Sequence, residues 1–255
     1  MEIYRFNPEV LQGASIVTVP ANEVPQDAWA DLQALQEEYL EDDLIGALPS
    51  DANQDSIDQM AARAAVLTNN RDVGQYAQQR GTSRFVAQHG LRPEQSYRDS
   101  QVTLVLNQNN TVIGGAATVL NASSRLPGPL GRAHRELALH TEGMRHVKIM
   151  DVIGREPEVA IAGIVGALEA RRPRDGVRAY LAPGELPDQV MQHAVNALGM
   201  SVVGSDLQEG VPGYPSPLRV DTYAGQVDLV LDHVYGVDGV RELMENVRRL
   251  DRLPE

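Results

Sequence analysis

Apolar and polar positions change their period several times along the chain, and each change predicts an element. Ser15-Ile16-Val17-Thr18-Val19 reads as a short strand that Pro20 ends. Pro25 and Asp27 then open a helical pattern in which Trp29, Leu32, Leu35, Tyr39 and Leu40 recur at helical spacing. A second helix is predicted from Ile57, Met60, Ala61, Ala64, Ala65 and Leu67, after the break at Pro49-Ser50-Asp51. From Val102 the texture turns to β. Two apolar runs, 102–106 and 111–120, flank Asn107-Gln108-Asn109-Asn110, which is turn chemistry, so a hairpin is expected.

The second half alternates. Residues 147–153 are a largely apolar strand of the kind buried on both faces. Val159, Ile161, Ile164, Val165 and Leu168 then mark a helix over 158–172. A strand at 176–181, a helix opened by Pro187 and stopped at Gly199, and a strand at 200–204 follow. Residues 226–234 alternate and predict a further strand, and 238–252 predict a C-terminal helix. The apolar stripe of that helix suits packing on its own domain or on a second subunit, as in a homodimer. With no repeats and no low-complexity linker, the organisation expected is a single domain over 1–235 followed by a C-terminal helix over 236–255.

Composition narrows the chemistry. The 255 residues include no Cys, which removes disulfides, Cys-ligated metals and thiol nucleophiles. The only Lys is Lys148, and no Gly-Lys-Ser/Thr exists to form a phosphate loop. The net charge is −13. It is concentrated in residues 1–60, where 13 acids face one base, Arg5, for a net of −12. No dense basic face is available for nucleic acid or an anionic membrane surface. No apolar run approaches the roughly 18–20 residues that span a bilayer, and the N-terminus lacks a signal-peptide layout, so a cytoplasmic protein is expected. His134, His140 and His146 lack a zinc-binding spacing, so no metal is expected. Ser123, Ser124 and Ser205 lack the Gly-x-Ser-x-Gly setting of a hydrolase nucleophile.

The order of elements is strand, two helices, hairpin, strand, helix, strand, helix, strand, strand. With it the chain resembles the GNAT superfamily of N-acyltransferases over residues 14–235. Three stretches carry the resemblance. They are Asn109-Asn110-Thr111-Val112-Ile113-Gly114-Gly115 in the hairpin, the strand and helix at 147–172, and Val195-Asn196-Ala197-Leu198-Gly199-Met200 before the next strand. The resemblance implies an α/β (α+β) fold with a mixed central sheet flanked by helices. It also implies acyl-CoA, acetyl-CoA above all, as cofactor, and a small-molecule or peptide amine as acceptor.

In that family an Arg/Gln-x-x-Gly-x-Gly/Ala motif presents backbone N–H groups to the pyrophosphate at a helix N-terminus. Here it falls on Pro157 to Ala162: Ala162 fits, Ala160 stands for Gly, and Pro157 replaces the cation. The implied cofactor contacts are therefore Met150, Asp151, Val152, Gly154, Arg155, Ala160, Ala162 and Gly163. Glu156 and Glu158 place two carboxylates where they would compete for the helix N–H groups. The family's Tyr, which protonates the departing thiolate, is Val195 here, and its Asn is Asp188. His193 is the nearby candidate acid. Glu38, within the acidic run Glu37 to Asp43, is the candidate base and acceptor contact, although charge runs are more often solvated helix faces. Catalysis would be direct attack of a neutral amine on the thioester, driven by orientation and by polarisation of the carbonyl. The rival reading, motivated by Pro157, Val195 and the two Glu residues, is a catalytically inactive binding module of the same fold.

Overall fold

The computed structural model describes residues 4–25, 27–28, 30–32, 34–35, 38, 54, 100–120, 146–171, 178–181, 189–208 and 218–254. The predicted helix at 57–67, the loop at 123–131, and Glu37, Glu41, Asp42, Asp43 and Asp188 lie outside the described residues. Eight strands form one sheet: β1 (Ser15–Pro20), β2 (Ser100–Leu106), β3 (Val112–Leu120), β4 (His146–Gly154), β5 (Arg178–Leu181), β6 (Ser201–Gln208), β7 (Leu218–Gln226) and β8 (Arg248–Leu250). The order across the sheet is β6-β7-β5-β4-β3-β2-β1-β8. Pairing is antiparallel except at β4–β5 and β1–β8. The fully described helices are α1 (Pro157–Glu169), α2 (Gln189–Leu198), α3 (Val227–Val234) and α4 (Val240–Asn246). This is the mixed, helix-flanked sheet that the resemblance implies.

The hairpin forms as expected. Asn107 Oδ1 accepts from the N–H groups of Asn109 and Thr111 at 2.9 and 3.0 Å, and Asn110 takes φ +61°. Asn is among the few residues that tolerate this left-handed backbone. Strand alternation sends Ile16 and Val105 to one side of the sheet, and Val17, Val19, Leu104 and Leu106 to the other. The first side is covered by α1 to α4. The second is covered by helical residues between 27 and 38, through Ala28, Leu32 and Leu35.

Helix α1 is buried from Pro157 through Leu168, so it lies inside the protein rather than on it. It comes close to β3 because both surfaces are small there. A Cβ added to Gly163 would sit 3.0 Å from the Gly115 carbonyl carbon. One added to Gly115 would sit 2.2 Å from the Thr103 carbonyl oxygen.

Two expectations are corrected. The segment predicted as a strand over 226–234 is α3, preceded by a strand, β7, that the pattern did not reveal. Val227, Val230, Leu231 and Val234 are buried while Leu229 is 62% exposed, which is a helical period rather than an alternating one. The C-terminal helix predicted over 238–252 stops at Asn246. Val247 turns extended, Arg248 N–H donates to Ala14 O at 3.0 Å, and β8 joins the outer edge of β1. Helix α4 buries Val240, Leu243 and Met244 in this chain's own core. No helix among the described residues is long and apolar enough to cross a membrane.

Candidate functional site

The site lies at the C-terminal end of β4. Ala116 of β3 faces Val152, whereas Thr118 faces Ile149, so β4 takes three steps where β3 takes two. The extra residue is a β-bulge at Met150–Asp151, and a bulge re-aims local backbone groups and leaves one residue out of the ladder. On the other side of β4, parallel pairing with β5 ends at Ile149–Leu181. From Met150 to Gly154, β4 therefore pairs only with β3 among the described residues. Among the described residues, the backbone N–H and C=O groups on the β5-facing edge have no strand partner.

Two residues later the chain enters α1. Gly154 permits the close approach, since a Cβ there would meet the Ala160 nitrogen at 2.8 Å. Pro157 sits in the first helical turn, where its missing N–H is harmless. Glu156 is the N-cap but makes no side-chain capping bond; its carbonyl accepts from Val159 and Ala160 at 3.0 and 3.1 Å. This end of α1 therefore offers few amide donors to an anion. Ala160, Ala162 and Gly163 are buried in the helix–sheet contact, with Ala162 fully enclosed. Their smallness serves packing. As a seat for a pyrophosphate the motif does not fit.

Glu158 does not compete for the helix N–H groups as expected. Its carboxylate is 1% exposed and turns toward the N-terminal segment. There it accepts from Asn7 N–H at 2.7 Å and from the Tyr4 hydroxyl at 3.1 and 3.3 Å. A buried carboxylate needs such partners, because an unpaired one is strongly penalised. The Tyr4 hydroxyl is pushed up to about 12, first by burial, then by the negative charge of Glu158 and its hydrogen bond. The Tyr4 ring stacks on His193 of α2, with centroids 4.3 Å apart and planes at 23°, and meets Phe6 edge-on at 5.0 Å.

The structure thus brings together some predicted residues and separates others. Arg155 and Glu38, named for different roles, form an ion pair, each about half exposed. His193 lies beside Glu158 through Tyr4. Met150, Asp151 and Val152 form the bulge. Val195, in the Tyr position, is 3% exposed in the core. Sequence reasoning missed Tyr4 and Asn7. They lie ahead of the first periodic segment, and no spacing links position 4 to position 158. No group of three or more His, Asp or Glu is placed to hold a metal among the described residues.

No family model matches the chain, and no curated protein matches its sequence. Solved structures share its outline. FeeM, an N-acyl amino acid synthase from uncultured soil microbes, is 11% identical with a TM-score of 0.48, covering 88% of this chain and 97% of that one. A GNAT superfamily phosphinothricin acetyltransferase from Sinorhizobium meliloti, solved with AcCoA, is 15% identical with a TM-score of 0.41, covering 84% and 88%. An N-acetyltransferase from Staphylococcus aureus is 11% identical with a TM-score of 0.40, covering 84% and 98%.

Proposed function

We propose that the protein is an acyl-CoA-dependent N-acyltransferase whose thioester lies along the bulged edge of β4. The observation that carries this reading is the bulge at Met150–Asp151 at the place where β5 stops pairing. Acyl-CoA, acetyl-CoA being the simplest case, would supply an acyl group activated as a thioester. The backbone N–H groups of Met150 to Val152 would polarise its carbonyl, and because they are fixed in the sheet they need no reorganisation during reaction. The β4 edge orients the arm so that a neutral amine can attack. Gly154 lets the chain turn away, and Arg155 at the rim offers a cation once it leaves Glu38. Glu38, on the covering helical segment, faces the same rim and suits a small-molecule or peptide amine. No protein nucleophile is required.

A second reading, an inactive binding module, is favoured by one observation. Pro157 has no N–H, and Val159 and Ala160 spend theirs on the Glu156 carbonyl. Titration calorimetry with acetyl-CoA, CoA and acetylpantetheine separates the two. Micromolar acetyl-CoA binding, kept within about tenfold (about 1.4 kcal/mol) for acetylpantetheine, is expected if the β4 edge is the main anchor. No binding at millimolar ligand by a cooperatively folded protein would leave the second reading. Turnover can then be followed by free-thiol release with an amine panel, since a chain without Cys contributes no thiol background.

A further inference from the structure

Tyr4 touches both helices that follow the parallel strands. Helix α1 begins three residues after β4, and α2 follows β5. On the α1 side Tyr4 donates to Glu158, which is 1% exposed. On the α2 side its ring stacks on His193.

The two attachments differ in kind. A hydrogen bond to a buried carboxylate is directional and hard to give up. A stacked pair can slide at little cost. The helices differ too. Helix α1 is enclosed along its length, so it does not move without disturbing the core. Helix α2 buries Ala194, Val195, Ala197 and Leu198 in its second half, while Gln192 is exposed and His193 half-buried in its first. Its first half is held less firmly, with Val190 only partly buried against the core.

We propose that Tyr4 is a positioning residue: a clip that holds the start of α2 against α1 and so sets how far apart the two helix starts stand near Met150–Val152, and with it the size of acyl group admitted. The acyl-transfer reading enters only in saying what ligand that spacing selects.

The test uses the absence of native Cys. Spin labels on Glu156→Cys and Gln192→Cys, both exposed positions, report the separation of the two helix starts in the full chain. The parent gives one narrow distance distribution. Tyr4→Ala broadens it toward longer separations, and His193→Ala, which removes only the stack, does the same. Tyr4→Phe keeps the stack without its anchor and falls between. If Tyr4→Ala loses its cooperative melt, the other two variants carry the test. Unchanged distributions in the folded variants overturn the clip. In parallel, the affinity ratio of octanoyl-CoA to acetyl-CoA is expected to rise at least about tenfold in Tyr4→Ala. A moved label distance with an unmoved ratio overturns the size-selection half. If the parent binds neither thioester, the acyl-transfer reading falls, and the label distances still decide the clip.

Discussion

Substituting Gly115 by Ala should destabilise the protein far more than one added methyl suggests. Gly115 pairs with Leu104 on one side and Ile153 on the other, in the middle of the sheet, with α1 above it. The new Cβ would lie 2.2 Å from the Thr103 carbonyl oxygen, over 1 Å inside the 3.4 Å at which ordinary contact begins. The obstacle is backbone, so no side chain can rotate away. Either β2 and β3 part locally, losing one or two ladder bonds worth about 0.5–1.5 kcal/mol each, or the strand shifts against α1 at an overpacking cost of about 1–3 kcal/mol. The gain from restricting the unfolded chain is only about 0.4–1 kcal/mol. The net expectation is a loss of about 1–2 kcal/mol. Gly166→Ala is the internal control. Its Cβ would meet side-chain methyls, Ile16 Cγ2 at 2.8 Å and Thr103 Cγ2 at 3.1 Å. A helix-interior Ala also recovers about 1 kcal/mol, so a change within about 1 kcal/mol is expected there. Urea unfolding followed by circular dichroism, with the slope unchanged and the midpoint shifted, measures both. A Gly115→Ala protein within about 0.5 kcal/mol of the parent would refute the backbone-contact argument.

Tyr4→Phe leaves the buried Glu158 carboxylate with Asn7 N–H alone and should lose about 1.5–3 kcal/mol in the same urea assay, with Tyr4→Phe/Glu158→Gln losing less than the two singles summed. Tyr4 and Tyr235 are both pushed up to about 12, each by burial first, with Glu158 and Glu169 respectively adding to it. A raised folded value means the folded state keeps a proton that the unfolded state loses, so their contribution is intact below pH 10 and disappears between pH 10 and about 12. Solvent screening limits this to roughly 1 kcal/mol per tyrosine, visible as a falling melting temperature over that window and reduced in the Phe variants. The Arg155–Glu38 pair is half exposed, and a double-mutant cycle should give a coupling below about 1 kcal/mol that shrinks further in 0.5 M salt, on the order of a Debye length of a few ångströms.

The sequence made the sheet's central strands legible, because β1 to β4 and α1 are built from long apolar runs with clear punctuation. It misread residues 226–234 because Val227-Asp228-Leu229-Val230-Leu231 satisfies both an alternating and a helical template over five residues. Only Leu229, left in solvent, decides between them. Strand β7 escaped notice although Leu218-Arg219-Val220-Asp221-Thr222 alternates apolar and polar residues, because the Gly- and Pro-rich stretch from Gly210 to Leu218 runs straight into it. The strand β4 was legible, read at 147–153 and found over His146–Gly154, but its bulge is a property of pairing registers that no single strand reveals. The expectation for Glu158 failed for a similar reason. Local spacing pointed to its own helix, while its actual partners come from the other end of the chain, at Tyr4 and Asn7.

The pairing of β8 with β1 has a kinetic consequence. Ser15 meets Arg248 and Val17 meets Leu250, so the outer edge of the first strand is closed by residues more than 230 positions later in the chain. During synthesis that edge stays open until residues 248–250 emerge, and contacts of such sequence separation are slow to form because their loop-closure entropy is lost before any contact compensates it. An uncovered edge strand is a template for pairing with other chains. Folding should therefore have a late phase in which residues 248–250 dock, and shortening the chain before Arg248 should raise aggregation during refolding more than it lowers equilibrium stability.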